Sequence, residues 1–320
     1  MRIAIVGAGT LGRVYGQRLA ALGDDVSFVV RPSRASEPSP FIIEQVNGAR
    51  RRDVLERPRR VTAVPPGTDV VILAVRFEQF DDAAALAALL APAKAAPIVV
   101  LTPLMPRQKN ALSNTLGRPI TPAMPSVSGY IDERDVVRYW IVKVAATLID
   151  APPEGARGEA ARGTLEELAK RLTKAGIAAR LERDVAAINA ATTVTFFPLI
   201  AAINAGAGID GVLADSALLG VVLDAAKETA SLGDKLGKAA PWAHMLTRFV
   251  SPYTLKPGIA LGRRLFPEVM RFVDTHFGPK LHAQHMAMGA AILELGKEHG
   301  QPMPALEALM ERLRAGGKSD

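Results

Sequence analysis

The stretch from Met1 to Arg31 constrains the fold of this chain more than any other part of the sequence. Arg2 to Val6 form an apolar run typical of a strand, and Gly7-Ala8-Gly9-Thr10-Leu11-Gly12 follows directly with the spacing G-x-G-x-x-G. Apolar residues then recur at helical spacing as far as Leu22, and Val26 to Val30 have the pattern of a second strand. A strand, a glycine-rich turn, a helix and a strand in this order predict a dinucleotide-binding unit.

Each glycine of this loop has a separate physical task. Gly7 permits the tight turn, Gly9 lets the backbone approach a pyrophosphate, and Gly12 allows the helix to pack closely on the strand. The phosphates would face the helix N-terminus, where unpaired N–H groups and the helix dipole favour negative charge. We therefore assign all of residues 7–12 to cofactor binding. An ordinary glycine-rich turn is the alternative.

The end of the second strand indicates which dinucleotide is bound. An NAD site normally carries Asp or Glu there, whereas this chain has Val30-Arg31-Pro32-Ser33-Arg34 and no acid before Glu37. Arginine offers bidentate, charge-assisted hydrogen bonds to phosphate oxygens. The sequence therefore favours NADP(H), with Arg31 as a ligand of the 2′-phosphate. The alternative is that Arg31 and Arg34 are only solvated loop residues.

Composition sets the outer limits. The chain has 320 residues, of which 49% are hydrophobic and 22% charged, as expected for a globular protein with room for two domains. It contains no cysteine, which excludes disulfides, thiolate metal sites and thiol catalysis. Glycines soon interrupt the apolar start at Ile3, so no signal peptide is expected. We expect a cytoplasmic protein.

The formal charge of +7 raises the question of nucleic-acid binding. Much of the excess lies in the run from Arg50 to Arg60, which contains no aromatic residue for base stacking and no known nucleic-acid motif. A solvated basic loop is therefore favoured over a nucleic-acid site. A positive field also favours an anionic cofactor and an anionic substrate.

Strands and helices continue to alternate beyond this unit, as a parallel, doubly wound sheet requires. The predicted elements are the strand Asp69–Val75, the helix Phe80–Leu90, the strands Ile98–Thr102, Val136–Ile141 and Val144–Ile149, the helix Thr164–Ala175 and the strand Ala178–Leu181. Arg76 and Gln79 follow the carboxyl end of a strand, where ligands bind in such sheets. We assign both to the cofactor site, with an ordinary polar turn as the alternative.

The character of the sequence changes after Asp184, where no further convincing strand pattern occurs. We therefore predict the fold class α/β, with an N-terminal Rossmann dinucleotide-binding domain over residues 1–183. An all-helical C-terminal domain, for substrate binding and dimerisation, is predicted over residues 184–320.

A charge-free run lies between Asp184 and Asp210 and is long enough to raise the possibility of a membrane helix. Asn189, Pro198 and Asn204 interrupt it. Polar groups and a proline suit a helix packed against protein better than one exposed to lipid. We therefore favour a buried central helix and expect no membrane partner.

The sequence combines several distinctive features: the glycine-rich loop, Arg31, the Leu73–Gln79 turn, Phe197-Pro198-Leu199 and His299-Gly300. In these the chain resembles the ketopantoate reductase family, NADPH-dependent enzymes that reduce a 2-oxo acid, over nearly its whole length. The resemblance implies a Rossmann domain followed by a helical domain. It also implies that the residues matching Arg76 and Gln79 lie beside the cofactor.

The same resemblance locates departures from the family pattern. Aligned on Pro198, Asn189 stands at the family's catalytic lysine and Phe197 at one of its asparagines. Pro103-Leu104 replaces its Asn-Gly after the fifth strand, and Gln284 replaces its late-helix glutamate. These substitutions predict that ketopantoate itself is turned over poorly or not at all.

Carbonyl reduction needs a hydride, a proton donor at the developing alkoxide and usually a cation for a substrate carboxylate. Asn189 cannot act as an acid, so His285 or Lys280, close to Gln284, are the candidate proton donors. The alternative is that both are surface groups. His282-x-x-His285 has metal-ligand spacing but no evident third ligand, so no metal is expected.

We place the substrate in a cleft between the two domains, bounded by Thr102–Met105, the helix from Asn189 to Asn204 and Lys280–His285. The nicotinamide of a Rossmann domain lies at the carboxyl ends of its strands, so the helical domain must cover it. Asn189 and Asn204 would orient a polar substrate by hydrogen bonds. The alternative is that both asparagines are structural.

Two hypotheses therefore remain open from the sequence. The chain is either an NADP(H)-dependent reductase of a 2-oxo acid or related carbonyl compound, or a dinucleotide-binding sensor or interaction protein without turnover. The expected partners are a small, anionic substrate and, in solution, a second copy of the chain as a homodimer, but no nucleic acid.

Overall fold

The computed structural model describes residues 1–48, 50–93, 95–142, 145–152, 155–240, 243, 251–277 and 281–316. The chain divides into two compact units, Met1–Ala186 and Ala187–Asp320. This division lies close to Arg183, where the change in sequence character places the domain boundary.

Unit 1 contains the strands of the protein. In chain order they are β1 (Arg2–Val6), β2 (Asp25–Val29), β3 (Phe41–Gln45), β4 (Arg51–Leu55), β5 (Arg59–Val61), β6 (Val70–Leu73), β7 (Ile98–Val100), β8 (Thr121–Met124), β9 (Val127–Ile131), β10 (Val136–Ile141), β11 (Thr147–Asp150) and β12 (Ala179–Glu182). Eight of them form one sheet in the order β12-β11-β8-β7-β6-β1-β2-β5. Every pair in this sheet is parallel except β8 with β11.

Helices cover this sheet, as the alternating sequence pattern predicted. Those of unit 1 are α1 (Thr10–Ala20), α2 (Pro32–Ala35), α3 (Ala83–Leu90), α4 (Pro106–Leu116) and α5 (Ala156–Lys174), with a 3-10 helix over Phe77–Asp81. The central strand β6 is buried along its whole length, as expected of a parallel strand covered on both faces. The predicted α/β Rossmann fold is therefore confirmed.

A second sheet, in the order β4-β3-β10-β9, was not predicted. Val136–Ile141 was predicted as a strand and is one, but it belongs to this second sheet and not to the parallel one. Its neighbour β9 precedes it directly in an antiparallel hairpin, whereas β3 is a short strand far away in the chain. No local pattern announces the parallel pairing of β3 with β10.

The prediction of a basic loop over Arg50–Arg60 was wrong, because this run contains β4 and β5. Both are edge strands, where charged side chains are common since they discourage pairing with other chains. The arginines also meet acids on neighbouring strands: Arg52 lies 3.7 Å from Glu44, and Arg59 lies 3.0 Å from Asp25.

Helix α1 contacts both sheets of unit 1. A Cβ on Gly16 would lie 2.5 Å from the Phe28 ring, so α1 approaches the large sheet very closely at this glycine. Arg18 is buried and donates to Gln45 Oε1 at 2.9 Å and to the Tyr139 hydroxyl in the second sheet. The helix that begins at the glycine-rich loop is therefore fixed from two sides.

The described residues of unit 2 form helices joined by short turns and irregular segments. Its helices are α6 (Val185–Ala205), which begins at the division between the units, α7 (Ile209–Ala214), α8 (Ser216–Leu236), α9 (Pro252–Leu265), α10 (Pro267–His276), α11 (His282–Glu298) and α12 (Pro304–Gly316). Glu228 on α8 accepts the N–H groups of Ala305 and Leu306 at 3.0 Å each, which satisfies the N-terminus of α12.

Helix α6 is long and apolar enough to cross a membrane by length and composition, with a mean hydropathy of 1.7. However, 67% of its most apolar window is buried inside the structure. An all-round apolar helix of this kind is typical of a domain core, as the sequence favoured.

Candidate functional site

The glycine-rich loop has the geometry that each glycine was predicted to supply. Gly7 has φ +98°, and a Cβ there would lie 2.5 Å from the carbonyl oxygen of Ala74. A Cβ on Gly12 would lie 1.9 Å from the carbonyl oxygen of Gly7. By contrast, a Cβ on Gly9 would meet nothing within 4 Å. Protein atoms therefore pack closely against Gly7 and Gly12, whereas the space next to Gly9 is open to a ligand.

Helix α1 begins at Thr10 with Gly9 as its N-cap, and no side chain caps it. Its first turn carries no acidic residue. Gly7, Ala8, Gly9, Thr10 and Leu11 are half-buried, whereas Gly12 is buried beneath them. A bound phosphate can therefore reach the open N–H groups of this turn, while Gly12 contributes through packing.

Arg13, which the sequence analysis did not single out, ties the loop to the second sheet. Its side chain is fully buried and donates to the Ala8 carbonyl oxygen at 3.0 Å. It also donates to the main-chain oxygen of Asp135 at 3.1 Å and to its Oδ1 at 3.0 Å. The same guanidinium lies 4.5 Å from the centroid of the Phe41 ring. The loop conformation thus depends on residues far away in the sequence.

Arg31 and Arg34 follow β2 but differ in environment. Arg31 is exposed and makes no side-chain hydrogen bond or ion pair with any residue that the structure describes. Arg34 is paired with Glu37, since its Nε lies 3.0 Å and 3.1 Å from the two carboxylate oxygens. Only Arg31 is therefore immediately available to an anionic ligand.

Arg76 and Gln79 shape the turn after β6. Gln79 Oε1 accepts the Arg76 backbone N–H at 3.0 Å, which caps the 3-10 helix Phe77–Asp81. The Arg76 side chain is 62% exposed and lies 3.9 Å from Glu78 Oε1. The Gln79 amide therefore has a structural task of its own, as the polar-turn alternative requires, and the assignment of both residues to the cofactor site stays a prediction.

The turn after β7 offers little polar chemistry. Thr102 donates its hydroxyl to the Val75 carbonyl oxygen, and Leu104 and Met105 are buried. The replacement of a family Asn-Gly by Pro103-Leu104 is thus accompanied by an apolar turn whose hydroxyl is already engaged.

Asn189 and Asn204 cannot orient one small substrate together. They are 15 positions apart on α6, which corresponds to about 22 Å along a helix axis. Both are buried, at 3% and 9% exposure. The sequence-based proposal of a shared substrate contact was therefore wrong, because it took no account of the rise of the helix.

Asn204 instead meets the start of α11 within unit 2. Its Oδ1 lies 3.2 Å from Nδ1 of His282, a residue not chosen as a site residue. Gln284, further along the first turn of α11, is half-buried. The predicted proximity of Asn204 to the Lys280–His285 segment is present in this contact, whereas Lys280 itself lies outside the described residues.

His285 is a core residue of unit 2. It is fully buried, and its ring lies 6.4 Å from the centroids of both Phe197 and Phe277. A proton donor must reach the reacting oxygen within hydrogen-bond distance. The structure therefore argues against His285 as the acid, and it also argues against the surface-group alternative for this residue.

Asp150 and Lys109 are further ionisable residues that the sequence analysis missed. Burial raises the pKa of the Asp150 carboxyl, while its hydrogen bond from the Val185 N–H at 3.1 Å and the charge of Lys109 oppose that rise. This carboxyl caps the start of α6. Among the described residues, no group of three or more His, Asp or Glu side chains could hold a metal ion.

Comparison with known protein families agrees with the dinucleotide-binding geometry of the loop. Residues 3–102 match the sequence model of the family described as ketopantoate reductase PanE/ApbA. The matched stretch lies within unit 1. The match confirms the resemblance stated from the sequence and supports an oxidoreductase with a nicotinamide dinucleotide cofactor. A search of curated protein sequences found no match.

Solved structures share the fold over the whole chain. A 2-dehydropantoate 2-reductase from Geobacter metallireducens is 20% identical, with a TM-score of 0.66 over 98% of this chain and 99% of that one. A dimeric ketopantoate reductase from Staphylococcus aureus is 14% identical, with a TM-score of 0.64 over 99% of both chains. D-mandelate dehydrogenase, solved with NADH and anilino(oxo)acetate, is 16% identical, with a TM-score of 0.68 over 100% of this chain and 99% of that one. At these identities the likeness shows the ketopantoate reductase fold.

Within this fold, one departure from the ketopantoate reductase pattern has a clear structural counterpart. Phe197 is fully buried, and a Cβ on Gly289 would lie 3.0 Å from its ring. A position that carries an asparagine in the family is thus filled by an aromatic ring packed against α11. Packing has replaced polar chemistry at this point of the helical unit.

Proposed function

We propose that this protein is an NADP(H)-dependent oxidoreductase that reduces a 2-oxo acid or a related carbonyl compound. The observation that carries the proposal is the loop at Gly9, which is open where a pyrophosphate must approach, beside an exposed Arg31 without a partner among the described residues. An unpaired guanidinium after the second strand suits a 2′-phosphate.

The residues present fit a dinucleotide. The N–H groups of residues 9–11 would hold the pyrophosphate, Arg31 would hold the 2′-phosphate, and Arg13 would keep the loop in shape through Ala8. The cofactor supplies the hydride for carbonyl reduction. The protein supplies the binding, the orientation and the exclusion of water.

A small anionic 2-oxo acid is the proposed substrate class. The family match and the solved complex of D-mandelate dehydrogenase with anilino(oxo)acetate support it. The positive formal charge of +7 also favours an anionic ligand. We retain Lys280 as the candidate proton donor, since Asn189 cannot supply a proton and His285 is buried.

A dinucleotide-binding protein without turnover is the second candidate. The burial of Asn189, Phe197 and His285 favours it, because side chains at positions considered for chemistry are packed in protein. The choice between the candidates depends on whether bound cofactor is consumed.

A substrate panel decides between them. The full chain is incubated with NADPH and a series of 2-oxo acids, and the loss of NADPH absorbance is followed. Consumption with any member, dependent on enzyme concentration, supports the reductase. Tight NADPH binding in a calorimetric titration without consumption in the panel supports the binding protein. If neither cofactor binds, both candidates are wrong.

Assembly and location complete the proposal. We propose a homodimer, as the Staphylococcus aureus neighbour is described as dimeric, and a cytoplasmic location. Light scattering coupled to size-exclusion chromatography tests the first, and cell fractionation with an antibody tests the second. A single species of the monomer mass of 33.9 kDa would contradict the dimer.

A further inference from the structure

The segment after β2 carries an acid as well as two arginines. Glu37 and Arg34 form a close pair, with three N···O distances between 3.0 Å and 3.1 Å. Their side chains are 36% and 35% exposed, so a solute can reach both. The negative charge that an NAD site normally provides at the end of the second strand is therefore present a few residues later in this chain.

The backbone of Glu37 is held by a contact that does not involve the Arg34 side chain. Arg60 donates to the main-chain oxygen of Glu37 at 2.7 Å and to that of Ser39 at 2.6 Å. The Arg60 guanidinium is itself 4.5 Å from the centroid of the buried Phe41 ring. When the Arg34 side chain turns towards another anion, the backbone of Glu37 therefore stays where it is.

The segment that carries the pair begins next to the phosphate loop. Val29 of β2 is the register partner of Val6 of β1, and its carbonyl oxygen accepts the Gly7 N–H at 3.3 Å. The chain after Val29 thus starts beside the chain that enters the loop. In a dinucleotide fold this edge receives the adenosine ribose, whose 2′ substituent distinguishes NADPH from NADH.

We propose that Glu37 is a specificity-determining residue that reduces the preference of this site for NADPH over NADH. This inference rests on the proposed function, because it concerns the same cofactor site. A 2′-phosphate must compete with Glu37 for Arg34 and is repelled by the carboxylate it leaves behind. A ribose hydroxyl, by contrast, can donate a hydrogen bond to that carboxylate.

The charge state of the pair agrees with this role. The hydrogen bond and charge of Arg34, with the charges of Arg60 and Arg13 nearby, hold the pKa of Glu37 below its usual range. Glu37 is therefore ionised at neutral pH, and only a change of residue removes its charge there.

Substitutions that remove the charge of each partner in turn test the inference. Dissociation constants for NADPH and NADH are measured on the full chain and on the variants Glu37→Gln and Arg34→Gln. Glu37→Gln should raise the ratio of NADPH to NADH affinity about fivefold, and Arg34→Gln should lower it by a similar factor. Glu44→Gln, which removes the carboxylate of another arginine pair, on β3, is the matched control and should leave the ratio unchanged.

A second measurement isolates the 2′-phosphate. Adenosine 2′,5′-bisphosphate and 5′-AMP are compared as ligands, since they differ only in that group. Glu37→Gln should tighten the first and not the second.

An unchanged ratio in both variants of the pair, or weaker bisphosphate binding in Glu37→Gln, overturns the inference while the proposed function stands. Absence of binding of either cofactor to the unaltered chain overturns both.

Discussion

The Nε atom of Arg13 donates to the carbonyl oxygen of Ala8 at 3.0 Å, so a fully buried guanidinium lies directly behind the phosphate loop. The same side chain reaches Asp135, which has a positive φ of 58° at the turn between β9 and β10. The second sheet, which departs from a simple doubly wound plan, is therefore joined to the loop that would hold the cofactor.

Arg13→Ala should lower both stability and cofactor affinity. It removes three hydrogen bonds made by a buried charged group, which corresponds to about 2–4 kcal/mol of unfolding free energy. Arg13→Lys keeps the charge without the planar fork. Its stability and cofactor affinity should therefore lie between those of the unaltered chain and those of Arg13→Ala. Urea unfolding and NADPH titration measure the effects. Arg52→Ala, whose side chain is 57% exposed, is the control; equal stability of the Arg13 and Arg52 variants would contradict the role of Arg13.

Gly9→Ala should lower cofactor affinity without affecting stability, whereas Gly12→Ala should lower stability. A methyl group at Gly12 would lie 1.9 Å from a backbone oxygen, so this variant should lose about 1–3 kcal/mol of stability. A methyl group at Gly9 meets no protein atom, so its melting temperature should be unchanged while cofactor affinity falls about tenfold. Calorimetric titration and thermal unfolding separate the two effects. Unaltered NADPH binding by Gly9→Ala would refute the loop as the pyrophosphate site.

Arg31→Ala should weaken NADPH binding and leave NADH binding nearly unchanged. A hydrogen bond to a charged group is worth about 1.5–3 kcal/mol, and this one would be made to the 2′-phosphate. Arg57→Ala removes the same charge from an exposed position in the basic run and serves as the control. If both arginine variants lose NADPH affinity equally, the general field of the protein, and not a contact of Arg31, carries the effect.

The sequence was a good guide to the Rossmann unit because every determinant of it is local. The apolar strand, the glycine spacing and the helical period from Met1 to Arg31 occur in one continuous stretch. The second sheet was missed because the pairing that holds its two hairpins together, β3 with β10, joins residues far apart in the chain, such as Ile42 with Val136. A run of arginines indicates solvent exposure but does not show that an edge strand carries them.

The candidate site was harder to predict for the same reason. The exposure of His285 depends on Phe197 and Phe277, and no spacing in the sequence brings these rings together. Arg34 and Glu37 are only three positions apart in the sequence. Their pairing was nevertheless missed, because a one-turn helix such as α2 gives no periodic pattern that would predict it. The loop residues are thus specified by local spacing, whereas the surroundings of His285 depend on contacts between distant residues.

Asp150 should make stability depend on pH. Since burial raises the pKa of its carboxyl in the folded chain, the folded state holds the proton more tightly than the unfolded state does. The resulting stabilisation is complete below the ordinary value of 3.8 and is lost as the pH rises through the raised value.

Asp150→Asn keeps an oxygen for the Val185 N–H and cannot ionise. Its unfolding free energy relative to the unaltered chain should therefore increase as the pH rises from the ordinary pKa to the raised one, by about 1.4 kcal/mol for each pH unit between them. Lys109→Met removes a charge that lowers the pKa of Asp150 and should widen this pH range. Urea unfolding at a series of pH values measures the effect. A difference between Asp150→Asn and the unaltered chain that is constant with pH would contradict the raised pKa.

Ketopantoate should be turned over poorly or not at all, because Asn189 and Phe197 replace polar groups of the family site and are buried. Loss of groups that act in the transition state lowers kcat and not only KM. Steady-state assays with NADPH and ketopantoate test this, and a kcat on the order of 10 s⁻¹, typical of enzymes, would show that other residues fill these roles. Asn189→Lys tests the position directly: at 3% exposure, an ammonium group there should lower the melting temperature and not restore activity. Asn189→Gln controls for the longer side chain, and ketopantoate turnover gained by the lysine variant at unchanged stability would contradict the assignment of Asn189 as a packed residue.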